Sequence, residues 1–269
     1  MKITVLTENL TFTDEHFFGE PGPSYWIEVD GKHILFDTGF SDLYIKNAKK
    51  LGIDLSTTDA IVLSHGHNDH ATGIKDFPYP STHLPLITHP NCFIPKYDED
   101  EYIGASITTY EAKQNYNYIP SVKPYFITPN IAFLGEIPVV YDFEQRTQVG
   151  DIKIGNKTEP DYLIDDTAMA IRTSNGIVVI TGCSHSGVCN IIDQAKSVFH
   201  TNTISTILGG FHLRSAKEDR LEKTAAFFAK NITGTVYAGH CTGFQAKYLL
   251  NTKVHVEEPF VGETIEISD

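Results

Sequence analysis

The stretch Leu63–Gly73, LSHGHNDHATG, decides the fold, because it places three histidines and an aspartate directly after an apolar run. The residues before it, DAIVL, have the composition of a buried β-strand. In an extended turn, residues i and i+2 point the same way, so His65 and His67 can bind one ion together. Asp69 and His70 begin the next predicted helix and can face a second ion. The alternative to a metal site is a polar loop that is merely rich in histidine. A set of imidazoles with one carboxylate, however, suits zinc, and also iron or manganese.

Three further apolar runs end in turns that carry a histidine. GIVVITGCS precedes His185, ISTILGGF precedes His212, and TVYAG precedes His240. In layered α/β proteins, turns of this kind gather along one edge of the sheets, where binding sites form. The sequence therefore predicts that imidazoles from distant parts of the chain meet around divalent cations.

The remaining pattern consists of two similar halves, each with β-rich runs followed by helices. Asp30-Gly31 and Asn175-Gly176 are two-residue hairpin signals, because type I′ turns need a positive φ. Helices are predicted over residues 41–52, 187–199, 216–231 and 244–250. Since no linker divides the halves, we expect a single α+β domain over residues 1–269, with sheets packed face to face and helices outside. The Tyr-rich stretch at about 95–130 has weak periodicity and is predicted to be an irregular insertion, either a lid, a binding loop or an oligomer contact.

The amino-acid composition limits the kinds of molecule that the protein is expected to bind. The net charge of −13 repels phosphate backbones and anionic membranes, so a small-molecule substrate is expected, rather than nucleic acid or a membrane. A small anionic substrate needs cations in the site to overcome that charge. Four scattered cysteines make no disulfide framework, and the sequence contains neither a signal peptide nor a membrane-length apolar run. These features predict a cytoplasmic protein and leave a homo-oligomer open.

The motif SHGHNDH resembles the signature of the metallo-β-lactamase superfamily, and ILFDTG before it and AGH near the C-terminus follow the same order. The resemblance implies a four-layer αβ/βα sandwich and two divalent metal ions. TGCSHSGVCNII, GGFHL and GHCTG are similar to a narrower branch, typified by an archaeal pterin synthase that joins a dihydropterin to a ribofuranosyl-aminobenzene phosphate.

The resemblance also implies roles for individual residues. His65 and His67 match ligands of the first metal, while Asp69, His70 and His240 match ligands of the second. Typical hydrolases of the superfamily carry a histidine in an HTxG motif, roughly where this chain has Asp165 and Asp166. They also carry a bridging aspartate in a TGD motif, where this chain has Cys183. His185 is therefore the expected replacement ligand. Cys183 is either a thiolate ligand or a small buried residue.

Five other residues are candidates for orienting the ligands or contacting substrate. Asp37, in the triplet DTG, is expected to orient the histidine loop; the same triplet occurs in aspartic proteases, but that chemistry needs a second carboxylate. His212 and Arg214 are read as substrate contacts, or alternatively as a core histidine and an exposed arginine. Glu8 and Asn9 either line the pocket or form a turn.

These observations together predict a metal-dependent hydrolase that uses a metal-activated water on a small, anionic substrate, with Asp69 as ligand and proton relay. The alternative is a pterin-related synthase or transferase that uses the same metal site. A third hypothesis is a non-catalytic metal-binding or sensing protein.

Overall fold

The structure is a computed structural model that describes residues 1–268. Its strands, in chain order, are β1 Lys2–Thr7, β2 Ser24–Val29, β3 Lys32–Phe36, β4 Ala60–Val62, β5 Pro85–Thr88, β6 Lys96–Asp98, β7 Glu101–Tyr102, β8 Asn117–Pro120, β9 Tyr125–Thr128, β10 Ile131–Phe133, β11 Asp151–Ile154, β12 Lys157–Pro160, β13 Ala168–Thr173, β14 Gly176–Thr181, β15 Ile204–Gly210, β16 Val236–Gly239, β17 Val256–Glu257 and β18 Thr264–Glu266. Its α-helices are α1 Leu43–Leu51, α2 Asn68–Ala71, α3 Thr109–Asn115, α4 Val188–Phe199, α5 Glu218–Asn231 and α6 Phe244–Asn251.

The chain forms two compact units. The first unit comprises residues 1–122, 148–165 and 260–267, and the second comprises residues 123–147 and 166–259 with Ser268. Both units are built from segments that are distant in sequence. The expectation of a single domain, which rests on the missing linker, stays a prediction.

The first unit contains a seven-stranded mixed sheet in the order β18-β1-β2-β3-β4-β5-β8. Strands β18, β1, β2 and β3 pair antiparallel, and β3, β4, β5 and β8 pair parallel. Helix α1 packs its buried Tyr44 and Ala48 into a core with Leu6, Leu35 and Ile61. It ends at Gly52, whose φ of 74° a side chain would disfavour. The parallel strands deliver their C-terminal turns, including Ser64 and His65 after β4, to one edge of this sheet.

The second unit repeats this plan with a seven-stranded sheet in the order β17-β16-β15-β14-β13-β10-β9. Strands β9, β10, β13 and β14 pair antiparallel, and β14, β15, β16 and β17 pair parallel. Helices α4, α5 and α6 bury their apolar faces against it, with Ile191, Phe228 and Leu250 in a common core. The repetition confirms the prediction of two similar halves in an α+β protein.

The helix predictions are confirmed to within about two residues, and the predicted hairpin between β13 and β14 forms, but its turn lies one residue earlier than predicted. The turn between β13 and β14 consists of Ser174 and Asn175, and Gly176 already pairs with Thr173 as the first residue of β14. Asn175 has no positive φ, unlike Asp30 and Gly31 at 52° and 66°, so only the first hairpin has the expected turn.

The stretch at about 95–130 is not irregular. It contains β6, β7, α3, β8 and β9, and β8 is an edge strand of the first sheet. Strands β6 and β7 form a four-stranded sheet with β11 and β12, in the order β12-β11-β6-β7. These strands have two to four residues each, which is too short for an alternating pattern to emerge from the sequence.

Among the helices of residues 1–268, none combines the length and hydrophobicity that crossing a lipid bilayer requires.

Candidate metal centre

The first cluster of imidazoles lies in the first unit, on the turn between β4 and α2. His65 and His70 are fully buried, and His67, the N-cap residue of α2, is 8% exposed. Burial lowers the pKa of His67 to about 4, despite the opposing charge of Asp69. His67 is therefore neutral at pH 7, the state in which imidazole binds a metal.

Two ring nitrogens of this cluster, one from His65 and one from His67, face each other. Nε2 of His65 lies 3.1 Å from Nδ1 of His67, while Nδ1 of His65 lies 3.0 Å from the hydroxyl of Ser64. Two nitrogens bound to one tetrahedral zinc ion at about 2.0–2.1 Å would lie about 3.3 Å apart. The separation in this turn fits one shared ion with a small adjustment.

Asp37 fixes the third imidazole. Its carboxylate lies 2.7 Å from Nδ1 of His70 and accepts hydrogen bonds from the backbone N–H and the hydroxyl of Ser64, each at 2.7 Å. This leaves Nε2 of His70 directed toward Asp69, whose carboxylate is 3.7 Å away. A carboxylate behind an imidazole is a common arrangement in metal sites, because it fixes the tautomer and the ring orientation. It differs from the carboxylate pair that an aspartic protease needs.

A buried charge network lies behind the same turn and was missed in the sequence analysis. Lys96 is 1% exposed, and its ammonium group lies 2.9 Å from both Asp161 and Asp165. The second oxygen of Asp165 accepts the backbone N–H of Gly66, between the two histidines, at 2.8 Å. Gly66 has no room for a side chain, since a Cβ would lie 1.8 Å from the carbonyl oxygen of Cys92.

The charges in this network stabilise one another. Burial opposes ionisation of Asp165, but the charge and hydrogen bond of Lys96 outweigh it and lower the pKa of the carboxyl group. Burial likewise opposes the charge of Lys96, and the two aspartates raise the pKa of its ammonium group above the usual value. Asp165 and Lys96 are therefore both ionised at neutral pH. No local sequence pattern could have revealed this network, because Lys96 is separated from Asp161 and Asp165 by more than sixty residues.

The second cluster lies in the second unit, where β14 and β15 end. One ligand atom from each of Cys183, His185 and His212 lies within 4.8 Å of the other two. The rings of His185 and His212 have centroids 4.2 Å apart. His212 adopts a left-handed φ of 49°, and its buried Nδ1 has no hydrogen-bond partner within residues 1–268. A buried nitrogen of this kind is suited to a ligand.

His240 and Cys241 follow β16, next to the second cluster. The Cys241 sulfur accepts the backbone N–H of His212 at 3.2 Å and lies 3.5 Å from the carbonyl oxygen of Cys183. Burial would raise the pKa of the Cys241 thiol, but its contacts with Cys183 and the nearby His240 and His212 lower it well below its usual value. Cys241 is thus a second thiolate candidate, which the sequence analysis passed over.

Asp166, the neighbour of Asp165, fixes the turn that carries His185. Its carboxylate accepts hydrogen bonds from the hydroxyl and the backbone N–H of Ser186, the latter at 2.9 Å. Glu144 then accepts the N–H groups of Cys189 and Asn190 at 2.9 and 3.0 Å, which caps the first turn of α4. The turn with His185 is therefore held at both ends by buried carboxylates.

The other predicted residues lie outside these clusters. Glu8 is buried and accepts the backbone N–H of Asn9, which is exposed. Arg214 is exposed, and its backbone N–H donates to the carbonyl oxygen of Cys241 at 3.1 Å. Their expected contacts with substrate stay predictions.

Comparison with known proteins identifies the class to which this fold and these clusters belong. The sequence profile of the metallo-beta-lactamase superfamily matches residues 18–216. A crystal structure described as a metal-dependent hydrolase of the beta-lactamase superfamily is 30% identical, with a TM-score of 0.86 and full coverage of both chains.

Two relatives from Methanocaldococcus jannaschii extend the comparison. One is 7,8-dihydropterin-6-methyl-4-(beta-D-ribofuranosyl)-aminobenzene-5'-phosphate synthase, 30% identical over 265 residues, which are 92% of this chain and 89% of the relative. The other, an uncharacterized protein, is 32% identical over 268 residues, which are 98% and 100% of the two chains. The chain therefore belongs to the metallo-β-lactamase superfamily, which confirms the fold class predicted from SHGHNDH. The match to the synthase confirms the narrower resemblance seen in TGCSHSGVCNII and GHCTG.

Proposed function

We propose that this chain is a metal-dependent hydrolase that acts on a small, anionic substrate. The observation that carries the proposal is the pair of ring nitrogens of His65 and His67, 3.1 Å apart, on a buried turn whose third imidazole is oriented by Asp37. A merely structural turn has no need for two buried imidazoles with facing nitrogens. Because the chain belongs to the metallo-β-lactamase superfamily, we expect these imidazoles to bind a metal ion.

We assign the ligands by combining the family motif with the donor chemistry. His65, His67 and His185 would hold one divalent ion, and Asp69, His70 and His240 would hold the other. Cys183 would complete the second set, in place of the bridging aspartate of typical hydrolases. Zinc is the metal that this mixture of imidazole, thiolate and carboxylate suits best, with iron or manganese as alternatives.

The bound ions would supply Lewis acidity toward a water molecule and toward an anionic group of the substrate. The chain's own residues would orient the metal ligands and relay protons. Asp69 has a partly exposed carboxylate, with 26% of its side chain accessible, so it can accept a proton from an attacking water. Asp37 and Ser64 would hold His70 and His65 in the tautomers whose Nε2 can bind a metal.

The second candidate is a synthase that joins a pterin to an arylamine at the same site. It is favoured by the similarity over nearly the full length to the M. jannaschii synthase, whose name describes such a product. The chemistry differs from hydrolysis in the nucleophile, which would be the second substrate instead of water.

The test is elemental analysis of the purified protein, followed by assays of the metal-loaded form. Turnover of phosphodiesters or lactones supports the hydrolase. Turnover only when a dihydropterin diphosphate and an arylamine phosphate are supplied together supports the synthase. Bound metal without turnover in either assay would overturn both and favour the sensing hypothesis. The variant Asp69→Asn should lose turnover, whereas His83→Ala, a change at an exposed histidine, should keep it.

A further inference from the structure

A single carboxylate fixes the backbone of the turn that carries His65 and His67. The N–H of Gly66, between the two histidines, donates to Oδ2 of Asp165 at 2.8 Å. Both groups are buried, and the Asp165 side chain is only 1% exposed, so water does not compete for this hydrogen bond. An N–H group that loses its acceptor inside a protein costs free energy, because its desolvation is then uncompensated. The turn is therefore held in the conformation that keeps this bond.

The next residues of the turn depend on backbone contacts. His67 forms an antiparallel bridge with Gly104. The N–H of Asn68 donates to the carbonyl oxygen of Ile103 at 2.8 Å. These contacts anchor the turn to the chain after β7. The N–H of Gly66 depends instead on a side chain, so a substitution can remove its acceptor without changing the backbone.

Asp165 and Asp161 occupy equivalent places in the buried network. Each directs one oxygen to the ammonium group of Lys96, at 2.9 Å, and each side chain is at most 4% exposed. The other oxygen of Asp165 accepts the N–H of Gly66. The other oxygen of Asp161 accepts the N–H of Leu163, also at 2.8 Å, which lies outside the histidine turn. Asp161 is therefore an internal control for effects of the network on stability alone.

We propose that Asp165 is a positioning residue for the metal centre, because it holds the peptide that joins His65 to His67. The ammonium group of Lys96 binds the other oxygen of that carboxylate and so fixes its orientation. The two ring nitrogens are 3.1 Å apart, close to the separation of about 3.3 Å on one shared zinc ion, so a small shift of this peptide changes the fit. The inference rests on the proposed function, because it assigns a further residue to the same metal-binding turn.

The experiment compares Asp165→Asn with Asp161→Asn in the full-length protein. An asparagine has one acceptor oxygen, which the ammonium group of Lys96 attracts, so its amide group turns toward the backbone N–H that the carboxylate accepted. Each variant loses one carboxylate charge and one backbone acceptor, so urea unfolding of the metal-free protein should show similar losses of stability. Zinc affinity is measured by competition with a chelator. The visible absorption of the cobalt-loaded protein reports the geometry of the ligands.

Asp165→Asn should weaken zinc binding about tenfold or more, within the range usual for groups that orient metal ligands, and should change the cobalt spectrum. Asp161→Asn should change the zinc affinity less than about twofold and keep the native cobalt spectrum. Lys96→Met/Asp165→Asn should bind zinc more tightly than Asp165→Asn does. Without the ammonium group, the asparagine oxygen can accept the N–H of Gly66.

Native zinc affinity in Asp165→Asn, or an equal loss of affinity in Asp161→Asn, would overturn the positioning role. If Asp165→Asn does not fold, Lys96→Met/Asp165→Leu, which has no acceptor for Gly66, is compared with Lys96→Met/Asp165→Asn. The leucine variant should bind zinc about tenfold more weakly, and equal affinities would overturn the role. A native protein that binds no zinc refutes the proposed function and this role together. Zinc binding that does not depend on Asp165 refutes the positioning role alone.

Discussion

Replacing Lys96 by methionine should destabilise the protein strongly, because it leaves two buried carboxylates without their cation. Asp161 and Asp165 each lie 2.9 Å from the ammonium group, and all three side chains are at most 4% exposed. Removing one partner of a buried ion pair costs about 3–5 kcal/mol. Methionine keeps most of the side-chain volume, so little of this cost is due to a cavity.

The pH dependence identifies the cause. In the native protein the pKa of Asp165 is lowered, so its contribution to stability is present above the unfolded-state pKa and is lost as the pH falls through the native pKa. Without Lys96, burial raises the pKa of Asp165, and its carboxylate can become neutral by binding a proton. The free-energy difference between Lys96→Met and the native protein should therefore be largest near pH 7.5 and should shrink toward pH 5.

Urea unfolding followed by tryptophan fluorescence measures this difference, because the chain has one tryptophan, Trp26, buried in β2 of the same unit. The measurements are made at a fixed zinc concentration. Lys113→Met, on the exposed side of α3, is the control and should change the free energy of unfolding by less than about 0.5 kcal/mol. The double variant Lys96→Met/Asp165→Asn should recover part of the loss. A cost below about 1 kcal/mol, or one that does not vary with pH, would refute the reasoning.

Three further predictions concern the metal ligands. His67→Ala should abolish metal retention in elemental analysis, whereas His83→Ala should retain the metal; an unchanged metal content in His67→Ala would show that the paired nitrogens are not ligands. Cys183→Ser should reduce the occupancy of one metal site only, measured as metal equivalents per chain, and no reduction would mean that the cysteine is structural. Asp37→Asn should weaken metal affinity about 10–100-fold, because an amide can hold His70 in the wrong tautomer; competition with a chelator measures this, and native affinity would contradict the role of Asp37.

The sequence predicted those parts of the fold and site that are encoded locally. The helices and the hairpin at Asp30-Gly31 each depend on a few adjacent residues, and SHGHNDH specifies its turn within seven positions. Asp37 was identifiable because ILFDTG occupies a recognisable place before that motif. These features needed no knowledge of which strands pair.

The features that the sequence did not reveal depend on long-range packing. Lys96 stands in a Tyr-rich stretch, with no local pattern to mark it as buried, and its partners Asp161 and Asp165 come from a segment beyond β12. Lys217 and Arg220 resemble the solvated residues at the start of an ordinary helix. They line a cavity only because β15 and β16 bring His212 and Cys241 beside them.

The proposed function requires that imidazoles from both clusters bind the same metal ions. Anomalous diffraction at the zinc absorption edge, on crystals of the protein purified with zinc, tests it most directly. We expect a peak about 2.0–2.1 Å from both Nε2 of His65 and Nδ1 of His67, with His185 as a further ligand, and a second peak at His70 and His240. Peaks only elsewhere on the chain, or an ion at His65 and His67 that lacks His185, would contradict the claim.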